Sequence, residues 1–251
     1  MSLIKSLTPL LFVTLLLGGC ATADLDPTEW AAERFYNEAK QALDNNDYEI
    51  AIKRYEDLEI HHPFSPYTQQ AQLEIGYAYY KYDEPDSAIA AADRYIKLYP
   101  RAENVDYAYY LRGLASFERG LSTFDLALGL DITKREPKAA KNAFIYFEEL
   151  IKRYPDSHYG DDAKRRMIDL RNRLAAYELH VAHYYMNRGA HLSAVNRCKN
   201  ILENYPQTPS IPDALVTMAE AYRQLGIHDL ANDTLQVLQL NHPDKISAMQ
   251  H

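Results

Sequence analysis

Five times along the chain a proline follows an aromatic residue or histidine, at Pro63, Pro100, Pro155, Pro206 and Pro243. Twelve residues before each stands an alanine: Ala51, Ala88, Ala143, Ala194 and Ala231. Five residues before each stands a large apolar side chain: Leu58, Tyr95, Leu150, Ile201 and Leu238. Further upstream, small residues (Ala39, Gly76, Ala182 and Ala219) mark places where two helices must approach closely. Each is followed three residues later by Ala42, Tyr79, Tyr185 or Tyr222. The pattern predicts five pairs of helices, each pair closed by the proline.

This grammar resembles the tetratricopeptide repeat, a helix-turn-helix of about 34 residues. It implies an all-α chain folded as a right-handed superhelix of five such repeats. The proline intervals are 37, 55, 51 and 37, so the third and fourth units are long. In the third, Gly113 takes the small position and the excess falls between the two helices, over residues 119–137. In the fourth, the excess precedes the small position. Residues 160–187 contain no proline and no glycine after Gly160, so the spacing predicts one long helix there. The first helix is expected to begin at Asp26-Pro27-Thr28-Glu29, where Asp26 caps, Pro27 suits the first turn and Glu29 completes a capping box. The expected organisation is an N-terminal half over 27–118, an insertion over 119–137, a C-terminal half over 138–243 and a tail over 244–251.

The N-terminus changes the compartment. Lys5, the apolar run Leu7 to Leu17 and then Leu17-Gly18-Gly19-Cys20 read as a signal peptide, residues 1–19, too short to span a bilayer stably. Its last four residues resemble a bacterial lipobox, which implies a diacylglycerol and an N-acyl chain on Cys20, with 20–26 as a short linker. Ala21, rather than Asp, follows the cysteine and favours sorting to the outer membrane, on its periplasmic face. Removal of Lys5 with the signal leaves 26 Lys+Arg against 35 Asp+Glu, a formal charge of about −9. That balance, with no basic tract, argues against nucleic acid. Of the two cysteines Cys20 is committed to lipid, so Cys198 has no internal partner and is expected in the core.

Two longer stretches narrow the resemblance. HPFSPYTQQAQLEIGYAYYK (62–81) and LAAYELHVAHYYMNRGAHLSAVNR (174–197), with the lipobox and five repeats at these spacings, resemble the BamD family, lipoproteins of the outer-membrane β-barrel assembly machine. The resemblance implies a scaffold that binds BamA and unfolded outer-membrane β-barrel proteins and works beside other lipoproteins of that machine. Counting from the repeat's proline places Gln70, Leu73, Tyr77, Tyr80 and Lys81 on the concave side of the second unit and Tyr79 on its packing side. Tyr36 and Lys40 of the first unit and Tyr107 and Tyr110 of the third face the same channel. Phenol rings bury apolar area and keep a polar tip, which suits an extended peptide with an aromatic end. Lys40 and Lys81 are candidates to meet that peptide's terminal carboxylate. In the C-terminal half the resemblance implies Arg197 as the contact to BamA's periplasmic domain, where a guanidinium suits a bidentate bridge to a carboxylate.

His180 and His183 sit three apart near Glu178, but no third metal ligand is specified. No nucleophile elbow, zinc-protease helix, phosphate loop or paired-cysteine motif occurs. The chain therefore reads as a scaffold without a catalytic centre or metal. A periplasmic repeat lipoprotein serving a cell-wall, pilus or competence complex is the alternative reading of the same features.

Overall fold

A computed structural model describes residues 31–119 and 137–249, with side chains through Ile246. Cys20, the signal and linker, the Asp26 cap and the apolar insertion residues Leu121, Phe124, Leu126, Leu128 and Leu130 lie outside the described residues.

Eleven α-helices follow one another among the described residues: α1 Ala32–Asp44, α2 Tyr48–His61, α3 Thr68–Lys81, α4 Pro85–Leu98, α5 Val105–Arg119, α6 Lys138–Arg153, α7 Gly160–Asn187, α8 His191–Asn204, α9 Ile211–Gln224, α10 His228–Asn241 and the short α11 Pro243–Met249. The first ten pair as five helix-turn-helix units, and every helix packs on its neighbours in the chain. The recurrent alanines are all fully buried, and the recurrent large residues are buried to within 1%. Those two positions are seven residues apart, two turns on one helix face, so each second helix presents the same stripe to the unit beside it.

The prolines explain how each second helix stops. A residue before proline is pushed out of the helical region. His62, Tyr99, Tyr154, Tyr205 and His242 accordingly have φ between −127° and −140° and ψ between 52° and 68°. Each still donates its N–H to the carbonyl of the buried residue four positions back, Leu58, Tyr95, Leu150, Ile201 or Leu238. One residue thus fills the core and closes the helix end. Inside four of the units the turn is three residues long and passes through the left-handed region, at Asn46 (φ 65°), Asp83 (φ 62°), Gly189 (φ 71°) and Gly226 (φ 74°). Asn, Asp and Gly are the residues that tolerate that conformation.

The third unit departs from this scheme. Residues 120–137 separate α5 from α6, where the other units have their short turn. Compensating contacts hold this pair together. Gly113 is required, because a Cβ there would lie 2.4 Å from the fully buried ring of Phe147. Arg112, 9% exposed, bridges Asp93 on α4 at 2.8 Å and Glu149 on α6 at 2.5 Å, with Tyr146's ring 4.3 Å from its guanidinium carbon. The long α7 then joins the two halves: Ala163 and Leu170 belong to the core of the third unit, Ala175 and Ala182 to that of the fourth and fifth. No described helix is long and apolar enough to cross a membrane.

Candidate peptide groove and partner face

Helices α1, α3 and α5, the first helices of three successive units, bring their side chains to one cavity of about 540 Å³. Of the residues expected on the channel, Lys40, Gln70, Leu73, Tyr77 and Tyr107 line it. Tyr77, Tyr107 and Tyr159 supply its aromatic wall, and their hydroxyls make no hydrogen bond among the described residues. Burial pushes the Tyr107 phenol well above its ordinary pKa. Leu73 lines the cavity but is 4% exposed, so it is floor and core at once.

Tyr36, Tyr80 and Tyr110 are not among the lining residues, yet they buttress them. Tyr36 stacks on Tyr67 at 5.3 Å and donates to Glu74 at 3.2 Å. Tyr80 lies 6.3 Å from the Tyr77 ring and donates to Glu118. Tyr110 stacks on Tyr159 at 4.7 Å and donates to Asp162 at 2.6 Å. Burial opposes ionisation of Asp162, but hydrogen bonds from Tyr110 and Arg166 hold its carboxyl below the usual range. Lys81 ends α3, exposed and outside the cavity wall, because the helix stops there at the turn. Tyr79 packs on the core of the first two units and donates to Glu56 at 2.7 Å, as its packing position requires.

Glu74 is among the lining residues that sequence reasoning missed. Its side chain is 14% exposed and accepts from Tyr36, Tyr55 and Gln70, while Lys40 approaches to 3.8 Å. Lys40 is also 3.7 Å from Asp44. The lysine thus stands between two carboxylates of its own chain while its side chain stays 44% exposed. Two further lining residues, Asn104 and Tyr159, stand four positions after Pro100 and Pro155. Tyr67, which stacks on Tyr36, holds the same place after Pro63. That recurring column was the signal available in the sequence.

The second face lies on α7 and α8. Arg197 donates through Nη1 to Glu178 Oε2 at 3.0 Å, where Glu178 is 3% exposed and the Arg197 side chain 41%. Its guanidinium carbon is 6.0 Å from the Tyr185 ring. The helix spacing thus sets a buried carboxylate of the chain's own beside Arg197, whose side chain stays partly open to the surface. Neighbouring Val195 and Cys198 are buried, and burial pushes the Cys198 thiol up to about 12. His183 is paired with the Thr217 hydroxyl at 3.1 Å, and Glu178 is engaged by Arg197 rather than by the histidines.

Against known proteins, the family model described as outer membrane lipoprotein, YfiO, matches residues 28–238. The outer membrane protein assembly factor BamD of Neisseria gonorrhoeae is 42% identical over 91% of this chain and 88% of its own. That of Vibrio cholerae is 37% identical over 94% and 98%. The chain belongs to the BamD family. Within that family the match spans all five helix pairs, from before α1 into α10. A crystal structure of MamA protein aligns over 86% of this chain and 94% of its own at 16% identity with a TM-score of 0.37, too loose to say more of this chain.

Proposed function

We propose that the chain is an outer-membrane protein assembly factor that works as a non-catalytic scaffold. It is anchored by lipid on Cys20 to the periplasmic face of the outer membrane. Its N-terminal units receive unfolded β-barrel substrates, and its C-terminal units hold the periplasmic domain of BamA. The observation that carries the reading is the phenol-walled cavity shared by three units of a chain belonging to this family. The phenols offer ring area and hydroxyls to an aromatic peptide end, and Lys40 already stands between Glu74 and Asp44.

The test is peptide binding. Tyr77→Ala and Tyr107→Ala each weaken binding of an aromatic-ended barrel peptide by about 1–3 kcal/mol, the range of an aromatic anchor in a binding site. Tyr82→Ala, at an exposed turn outside the cavity, leaves affinity unchanged. Equal affinity across all three variants places substrate elsewhere. Co-purification from mildly solubilised membranes with a BamA-type barrel protein, and release of the chain by Cys20→Ser, test the partner and the anchor.

A further inference from the structure

The turns at the five recurrent prolines, four between units and one after the last, share one end of the helix stack, and four of the five carry a polar, exposed residue immediately after the proline: Arg101, Asp156, Gln207 and Asp244. The first carries Phe64, 98% exposed. Three residues before the same proline stands Ile60, 71% exposed, where the next three units have Lys97, Lys152 and Glu203. Leu240 repeats Ile60 in the last unit, but Asp244 stands where Phe64 would. Single exposed apolar side chains are ordinary on a protein surface. Here two coincide at one turn, in the first unit, and that is the turn beside which the chain enters the fold. Phe35 in the first turn of α1 stacks on His61 at 5.7 Å, and His61 ends α2 just before this turn.

We infer that Phe64 and Ile60 form a foot that dips into the bilayer carrying the chain's own lipid. The inference rests on lipidation of Cys20. Twelve residues from Cys20 to Ala32 reach at most about 40 Å, which keeps the end of α1 bearing Phe35 within that distance of the bilayer and leaves the choice of which end faces it to the apolar side chains. The opposite, intra-unit end stands about 20 Å farther along the helices. Phe64 lies on the end bearing Phe35. Because the anchor already holds the domain at the surface, insertion is intramolecular and even a shallow apolar contact is populated. The foot fixes which end of the stack faces the membrane and leaves the groove to the side.

The experiment places a tryptophan at the foot of the full, lipidated chain in vesicles, in a Trp30→Phe background that removes the native tryptophan. The Phe64→Trp variant is expected to emit at shorter wavelength in vesicles than as soluble protein free of detergent, to be quenched by brominated lipid and to be shielded from aqueous iodide. Tyr82→Trp, at the far end of α3, is expected to show none of these. Acyl labelling of Cys20 is measured on the same samples. Label present while the indole of the Phe64→Trp variant stays open to iodide overturns the foot alone. An indole at that position shielded from iodide but unquenched by brominated lipid also overturns it, assigning the turn to a protein contact. Absence of acyl label overturns both the foot and the anchor.

Discussion

Glu74 and Glu178 are both carboxylates sunk between helices, and both lie on the first helix of their unit, yet they are satisfied in different ways. Glu74 collects two phenols and an amide from three helices, with Lys40 at a loose 3.8 Å. Glu178 is 5% exposed at its side chain and leans on one close cation, Arg197 at 3.0 Å. Neutral donors distribute the load, so losing one leaves the others in place. A single ion pair concentrates it, because a buried charge without its counter-ion is far more costly than a missing neutral hydrogen bond. The groove is thus tolerant of small changes in its support, whereas the α7–α8 junction depends on one arginine. An Arg197 that meets a partner carboxylate, as the family resemblance implies, would do so while holding Glu178.

The largest effect is therefore expected at Arg197. Arg197→Ala strands Glu178 and lowers the unfolding free energy by about 3 kcal/mol, the low end for breaking a buried pair, since the arginine is 41% exposed and partly screened. A urea titration reads this directly. Adding Glu178→Gln to Arg197→Ala recovers most of the loss, because the stranded charge is gone. If the double variant is as unstable as the single, the pair is not what holds the junction. Arg197→Glu would set two carboxylates together, so a lost partner interaction in that variant reports unfolding as well as contact. Arg197→Lys keeps the charge and loses the planar fork, and it is the variant that separates the two.

Next in size is Glu74→Ala, expected to lose about 2 kcal/mol by leaving the fully buried Tyr55 hydroxyl without an acceptor. Glu74→Gln keeps an acceptor and loses less. Peptide affinity falls in both variants, since Lys40 is freed to swing toward Asp44. A stability loss as large as that of Arg197→Ala would erase the distinction between distributed and concentrated support. Smaller again is Tyr36→Phe, at about 0.5–1 kcal/mol, because one donor of several is removed and the stacking on Tyr67 is kept.

The helices were legible in the sequence because proline and alanine act locally. Pre-proline sterics end each second helix within a residue of the expected place, and the long α7 runs over the expected 160–187. Which side chains share the cavity was legible only by column. Tyr77 and Tyr107 are visible by counting back from their units' prolines, but the wall also takes Asn104 and Tyr159 from the inter-unit turns, a column not used. Polar pairing was the least legible. Tyr36 finds Glu74 38 residues away, and Arg197 finds Glu178 19 residues away. Those pairings depend on how far one helix is turned against the next, which no local rule states. For that reason the contacts of Lys40 with Glu74 and of Arg197 with Glu178 could not be read from the sequence.

The smallest effect at neutral pH, and the one that separates the two regions by chemistry, is their response to alkali. Burial, then the charge and hydrogen bond of Glu74, push the Tyr36 phenol up to about 12, and burial with the Asp162 hydrogen bond does the same for Tyr110. An unfolded tyrosine ionises near 10. Between those values the folded chain binds more protons than the unfolded one, so stability falls as pH rises from about 10 through 12 and is fully kept below. The hydrogen bond to Glu178 holds the Arg197 guanidinium pKa above its ordinary value, so the arginine keeps its charge throughout that window. The N-terminal units are therefore expected to loosen first. Tyrosinate absorbance followed beside helical circular dichroism checks this: the groove-supporting phenols ionise only as helicity is lost, and Tyr36→Phe moves the onset of that loss to higher pH. If tyrosinate forms fully near pH 10 with helicity intact, Glu74 does not hold the phenols as the geometry describes, and the contrast between the two carboxylates rests on the ion pair alone.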